Sequence, residues 1–252
     1  MISELWHQLR ARLPIAPSLI LVFGVIAASF MLFWSLAEEI LEGEGHEFDE
    51  WLFLVLRNPS DTSDPIGPGW FEYAVADITA LGGYAILTLL LTAAATYLIA
   101  IKRWRHAAIL IGAVLSGTAL SSLLKLGIAR PRPDLVEHMT HAMSSSFPSG
   151  HATLSATAYL TIGLILAEAH EKKRIRGLIM MFAVITTMLV GMSRVYLGVH
   201  WPSDVLAGWA LGTSWALLWW VLLRWWLSPG DGPIRAFRSD RPQPEKDDAT
   251  ER

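Results

Sequence analysis

Cysteine is absent from this 252-residue sequence. That excludes a disulfide framework, a thiolate nucleophile and a cysteine-built metal site. Asparagine is nearly absent, and the single one, Asn58, is followed by Pro59, so Asn58-Pro59-Ser60 is no glycosylation acceptor. Charge is scarce at 17% of residues, and the net charge is −3. With no basic patch interleaved with aromatics outside the loops, nucleic acid is excluded as a partner. What the chain has in excess is apolar sequence, 53% of its residues. It is bunched into charge-free runs at 13–37, 78–101, 107–124, 152–167, 177–193 and 205–223. Several approach the roughly 20 residues that cross a bilayer as a helix, and none alternates as a membrane β-strand would.

These runs predict an all-α fold, a polytopic bundle of six transmembrane helices at about 16–37, 78–101, 107–125, 152–168, 176–194 and 204–226. The first follows a polar stretch with Glu4, Arg10 and Arg12 and exceeds the usual 7–15-residue signal-peptide core, so it reads as a signal anchor. Residues 47–58 are too short to span, but Phe48, Trp51, Leu52 and Val55 share one helical face, which predicts a short interfacial helix in the first outer loop. Residues 1–227 then form one integral-membrane domain, and the polar, proline-containing stretch 228–252 is expected to be a disordered tail. Trp219, Trp220, Trp225 and Trp226 at the end of the last span read as an aromatic belt.

Basic residues set the expected orientation. Fifteen of the twenty lie in connections on one side, around Arg10, Lys102, Lys172 and Arg224 and in the tail, whereas residues 38–77 carry eleven acids and one base. The positive-inside rule makes both termini cytoplasmic and turns the 38–77, 125–151 and 194–204 connections outward.

The charged residues that end the spans gather on that outer face. Lys125 closes the third run, His151 opens the fourth, Arg194 closes the fifth, and His200 and Asp204 precede the sixth. Lys125 alone would be a snorkelling lysine. Together with Arg132 and Arg194 it supplies the point charge and planar forks that a phosphoryl group needs. Phe147-Pro148-Ser149-Gly150-His151 precedes a helix, so backbone amides there can point at an anion, with Gly150 allowing close approach. His200 and Asp204 stand four apart with Pro202 between them, placing a carboxylate within reach of an imidazole. An Asp-oriented neutral histidine is a nucleophile or base, and a second histidine, His151, can protonate a leaving oxygen. If the two work in opposite protonation states, kcat/KM should be bell-shaped in pH.

Lys125-x6-Arg132-Pro133, Pro148-Ser149-Gly150-His151 and Ser193-Arg194-x5-His200-x3-Asp204 together resemble the three-part signature of the type-2 phosphatidic acid phosphatase superfamily, with no position missing over roughly residues 78–223. The resemblance implies that His200 forms a phosphohistidine supported by Asp204. It further implies that Lys125, Arg132, Ser149, Gly150 and Arg194 bind phosphate and that His151 protonates the departing oxygen. Ser193 either touches phosphate or caps and packs a helix end. No metal and no cofactor are implied. His138 and His141 lack the helical context of a zinc site, and Arg130, off the signature spacing, reads as a surface or headgroup contact.

The expected partners are the lipid bilayer and a phosphorylated lipid substrate, because a site at the membrane boundary admits a headgroup while its chains stay in lipid. Among bacterial members of the family the candidates are undecaprenyl diphosphate, phosphatidylglycerol phosphate and phosphatidic acid. Undecaprenyl diphosphate is favoured by an outward site in a bacterial inner membrane. A lipid phosphotransferase would use the same residues, whereas a non-catalytic lipid binder would not need the His200–Asp204 pair.

Overall fold

A computed structural model describes residues 17–43, 46–133 and 145–227 of the chain. His138 and His141, which are not expected to bind zinc, and the expected tail at 228–252 lie outside the described residues. In chain order come helix α1 (Pro17–Leu41), helix α2 (His46–Val55), a hairpin of β1 (Arg57–Asn58) and β2 (Asp61–Pro65), helix α3 (Gly69–Ala80) and helix α4 (Tyr84–Ala100). Helices α5 (Trp104–Gly127), α6 (Gly150–Glu168), α7 (Lys173–Tyr196) and α8 (Pro202–Leu227) follow.

Among the described residues, α1, α5, α6, α7 and α8 are each long and apolar enough to cross a bilayer, and α3 with α4, bent by 47°, supplies a sixth crossing as a broken span. The protein is therefore an all-α polytopic membrane bundle. Its helices outrun the charge-free runs by a few residues at several ends, because terminal Lys and Arg side chains reach the interface from inside a helix. The expected continuous span over 78–101 is corrected to two helices, whose junction holds Gly82 and Gly83, poor helix formers. The interfacial helix ends at Val55 rather than residue 58, since Arg57 and Asn58 enter the hairpin, where Arg57 pairs with Pro65 and Asn58 with Asp61.

Helix α6 is the axis of the bundle. Two-thirds of its membrane-length window is buried (67%), against 11% for α1, and it packs on α5, α7 and α8. Its closest neighbour is α8, where a Cβ on Gly208 would lie 2.9 Å from the Ser149 carbonyl oxygen and one on Gly212 only 2.5 Å from that of Thr153. Hydrogen in place of a side chain lets the two backbones meet, the small-residue packing that membrane helices use when lipid is as apolar as leucine. A main-chain bond from Ser149 N to the Asp204 carbonyl, 3.0 Å, ties the two helices at their N-terminal ends.

At the opposite end of the bundle, Trp226 stacks edge-on against Trp104 and Trp220 donates to Glu168 at 2.9 Å, so part of the tryptophan cluster also joins helices.

Candidate active site

Two helix ends bring the last signature residues together. Helix α7 stops in a Schellman motif: Gly198 takes φ +77°, its N–H donates to Val195 O at 3.0 Å, and Val199 N–H donates to Arg194 O at 3.2 Å. The reversal returns the chain so that His200 lies on the same side as Arg194. Helix α8 then starts with Trp201 as N-cap and Pro202 in the first turn, and the Asp204 carboxylate reaches back to the Trp201 N–H at 2.8 Å. This is the reciprocal half of a capping box. The helix thus begins beyond His200, and it is the cap that turns Asp204 toward the imidazole.

His200 is buried, with Nδ1 3.4 Å from Asp204 Oδ2 and 3.3 Å from Ser146 Oγ, while Nε2 lies 3.4 Å from an Arg132 Nη1. Guanidinium has donors only, so Nε2 faces it with a lone pair and the ring proton sits on Nδ1, toward the carboxylate. Burial, reinforced by the charges of Arg132 and Arg194 and opposed by Asp204, brings the His200 pKa down to about 4. Asp204 is fully buried and further accepts from Ser146 Oγ through Oδ2 and from Arg130 Nη1 at 2.6 Å through Oδ1.

The cations come from three elements. Lys125, in the last turn of α5, donates to Ser145 O at 2.6 Å, and its Cε would sit 3.7 Å from a Cβ on Gly150. Arg132 donates to Val199 O at 2.6 Å. Arg194 donates from Nη1 to Thr79 Oγ1 at 3.0 Å, while its buried Nε has no acceptor. His151, in the first turn of α6, packs against the Gly82–Gly83 junction, within electrostatic range of Lys125, Arg132, Arg194 and His200. The structure thus gathers Lys125, Arg132, Gly150, His151, Arg194, His200 and Asp204 in one place.

Two predicted phosphate ligands have other engagements. The Ser193 hydroxyl donates to Val190 O at 2.6 Å inside α7, which is the packing alternative. Ser149 is buried, its hydroxyl accepts from Ala152 N at 3.5 Å as the α6 cap, and its N–H is taken by Asp204 O. The first-turn amides of Gly150 and His151, which have no acceptor within their own helix, and the Ser149 hydroxyl proton, which the cap does not use, are the donors that remain for an anion.

Arg130 is corrected outright. It is buried rather than on the surface, and its fork joins Asp204 to Asp49 of α2, with Nη2 to Asp49 Oδ2 at 2.6 Å. Asp49, Ser146 and Arg57 were not foreseen either. Arg57 donates to the Val195 and Tyr196 carbonyls at 3.3 and 2.8 Å, closing the end of α7. The signal for Asp49 is its spacing: with Phe53, four residues on, it forms a second face of α2 about 130° around the helix from the apolar one, and Phe53 packs on Trp201 at 5.6 Å. Among the described residues no group of three or more His, Asp or Glu side chains could hold a metal ion.

Residues 106–228 match the PAP2 superfamily. The chain is 34% identical over 179 residues to phosphatidylglycerophosphatase B of Bacillus subtilis (strain 168), covering 67% of this chain and 79% of that protein. An undecaprenyl-diphosphatase of Sulfolobus acidocaldarius is 46% identical over 70 residues, 28% of this chain and 29% of that one. The crystal structure of a transmembrane PAP2-type phosphatidylglycerolphosphate phosphatase from Bacillus subtilis superposes with a TM-score of 0.67 at 28% identity, covering 78% of this chain and 94% of that one.

Proposed function

The chain belongs to the PAP2 superfamily and is an integral-membrane hydrolase of lipid phosphates or diphosphates, and from that premise we propose that His200 is its nucleophile, on a lipid headgroup presented at the outward face of the membrane. The observation that carries this reading is the polarity of His200: its Nδ1 is backed by Asp204 and its Nε2 lone pair faces a cation. Attack by Nε2 on phosphorus forms a P–N bond and breaks the P–O bond to the lipid, whose oxygen takes a proton from His151. Water, giving a proton back to His151, then breaks the P–N bond and releases phosphate. The growing imidazolium charge is met by Asp204, and the charge on the phosphoryl oxygens by Lys125, Arg132, Arg194 and the first amides of α6. A phosphoryl oxygen would also give the buried Arg194 Nε its acceptor, removing a penalty of about 1–3 kcal/mol.

Two substrates head the list. The relative matched over two-thirds of the chain is named for phosphatidylglycerol phosphate, which favours a glycerophospholipid monoester. The shorter match to an undecaprenyl-diphosphatase and the outward site favour a polyprenyl diphosphate. Phosphate release by the purified chain in detergent with EDTA, from phosphatidylglycerol phosphate, undecaprenyl diphosphate and phosphatidic acid, ranks them by kcat/KM. His200→Ala, His151→Ala and Arg194→Ala should each abolish release, and full activity in any of them would remove that residue from the mechanism.

A further inference from the structure

Four groups lock together behind His200, away from the phosphoryl-binding cations. Asp49, Arg130 and Asp204 are all buried, their side chains exposed by 1%, 5% and 0%. Arg130 spans the two carboxylates, and its Nη1 also donates to Ser203 Oγ at 2.7 Å. Asp49 in turn accepts from Ser203 N at 2.8 Å and Ser203 Oγ at 2.5 Å. An acid from α2 thus satisfies a first-turn amide of α8 from outside, where the helix end favours negative charge.

We infer that Arg130 and Asp49 are positioning residues for hydrolysis, acting on His200 only through Asp204. A carboxylate can rotate about its own axis. Arg130 prevents this by holding Oδ1, which leaves Oδ2 for Trp201 N, Ser146 Oγ and the His200 ring. Arg130 is itself oriented by Asp49, because one terminal guanidinium nitrogen is committed to each acid. The chain of contact runs from the short outer helix α2 to the nucleophile without touching the place where phosphate is held. This inference rests on the reading of His200 as nucleophile.

The test measures kcat and KM for phosphate release from phosphatidic acid by the full chain in detergent, with thermal melting of each variant. Arg130→Gln keeps a planar donor group but cannot reach both acids. It should lower kcat by about 10²-fold, the upper range for partners behind a reacting group, with KM changed less than about twofold. Arg130→Lys, with charge but no fork, should recover about tenfold of that loss. Asp49→Asn keeps the shape of the acid and should lower kcat by about tenfold, and the double variant Asp49→Asn/Arg130→Gln should be no slower than Arg130→Gln alone.

Wild-type kcat in Arg130→Gln or Asp49→Asn would overturn the inference. So would a raised KM at unchanged kcat, which would make Arg130 a headgroup ligand, or independent multiplication of the two losses. Should Arg130→Gln not fold, Arg130→Lys and Asp49→Asn carry the same split between kcat and KM. An active His200→Ala would overturn the underlying nucleophile assignment, whereas an inactive His200→Ala beside fully active Arg130 variants would overturn the positioning role alone.

Discussion

His200 takes its chemistry from its surroundings rather than from its place in the chain. In water an imidazole is half protonated near pH 6.5, whereas here burial and two nearby guanidinium groups hold its pKa at about 4. The nucleophile is then neutral throughout the neutral range. The limb of kcat/KM set by its protonation should fall near pH 4 rather than near 6.5, and a pH–rate profile of the wild type checks this. Folding stability carries the same signature with a definite sign. Because the folded-state value is depressed, the unfolded chain binds the proton more readily between about pH 6.5 and 4, so this group's contribution is lost as pH falls through that window. A melting temperature that rose on acidification across it, in His200-intact protein compared with His200→Gln, would contradict the assigned environment.

At the scale of elements, the site depends on how close α6 and α8 come. Ser149 caps one helix, Asp204 caps the other, and a main-chain bond joins them, so a small separation of the helices moves a cap, a carboxylate and a phosphate-binding turn together. Gly212→Ala would set a methyl 2.5 Å from the Thr153 carbonyl oxygen, a backbone atom that cannot step aside. Overpacking of this kind costs about 1–3 kcal/mol, and the variant should melt lower and lose activity. Gly24→Ala in α1, where an added Cβ meets nothing within 4 Å, should melt as the wild type does or slightly higher. Equal melting temperatures for the two variants would show that the contact is not tight. The hairpin is a second such device. Through Arg57 it closes the carbonyl end of α7, the same end that presents Arg194.

For the whole molecule, the distribution of basic residues leads to a testable proposal of orientation: site outward, both termini inside. The cysteine-free chain suits single-cysteine labelling. Ser60→Cys at the exposed hairpin tip should react with a membrane-impermeant maleimide in intact cells, and Lys172→Cys, exposed at the start of α7, only after permeabilisation. The reverse pattern would place the site on the cytoplasmic side. The segment between α1 and α4 is also an integral part of the architecture. Asp49 binds at α8, Arg57 and Ile66 bind at the end of α7, and Thr79 holds Arg194, so four contacts anchor this acidic stretch over the site.

The sequence by itself determined the class of molecule, the number of crossings, and the sharing of one end of the bundle by Lys125, Arg132, His151, Arg194, His200 and Asp204, which the structure gathers there. Those features follow from local facts: the length of an apolar run, the loss of charge within it, and fixed spacings near helix ends. Only the tertiary structure decided what Arg130, Asp49, Ser146 and Ser149 do. Arg130 looks like a surface base because the acids that neutralise it lie 81 residues before it and 74 after it, and burial of a charge depends on partners brought from elsewhere. The hydroxyl of Ser149 also serves as an acceptor for the α6 cap, a role fixed by the helix that follows it and one that leaves its proton for a ligand. Spacing reveals which groups share a face, but which partner each group takes is settled when distant segments pack against one another.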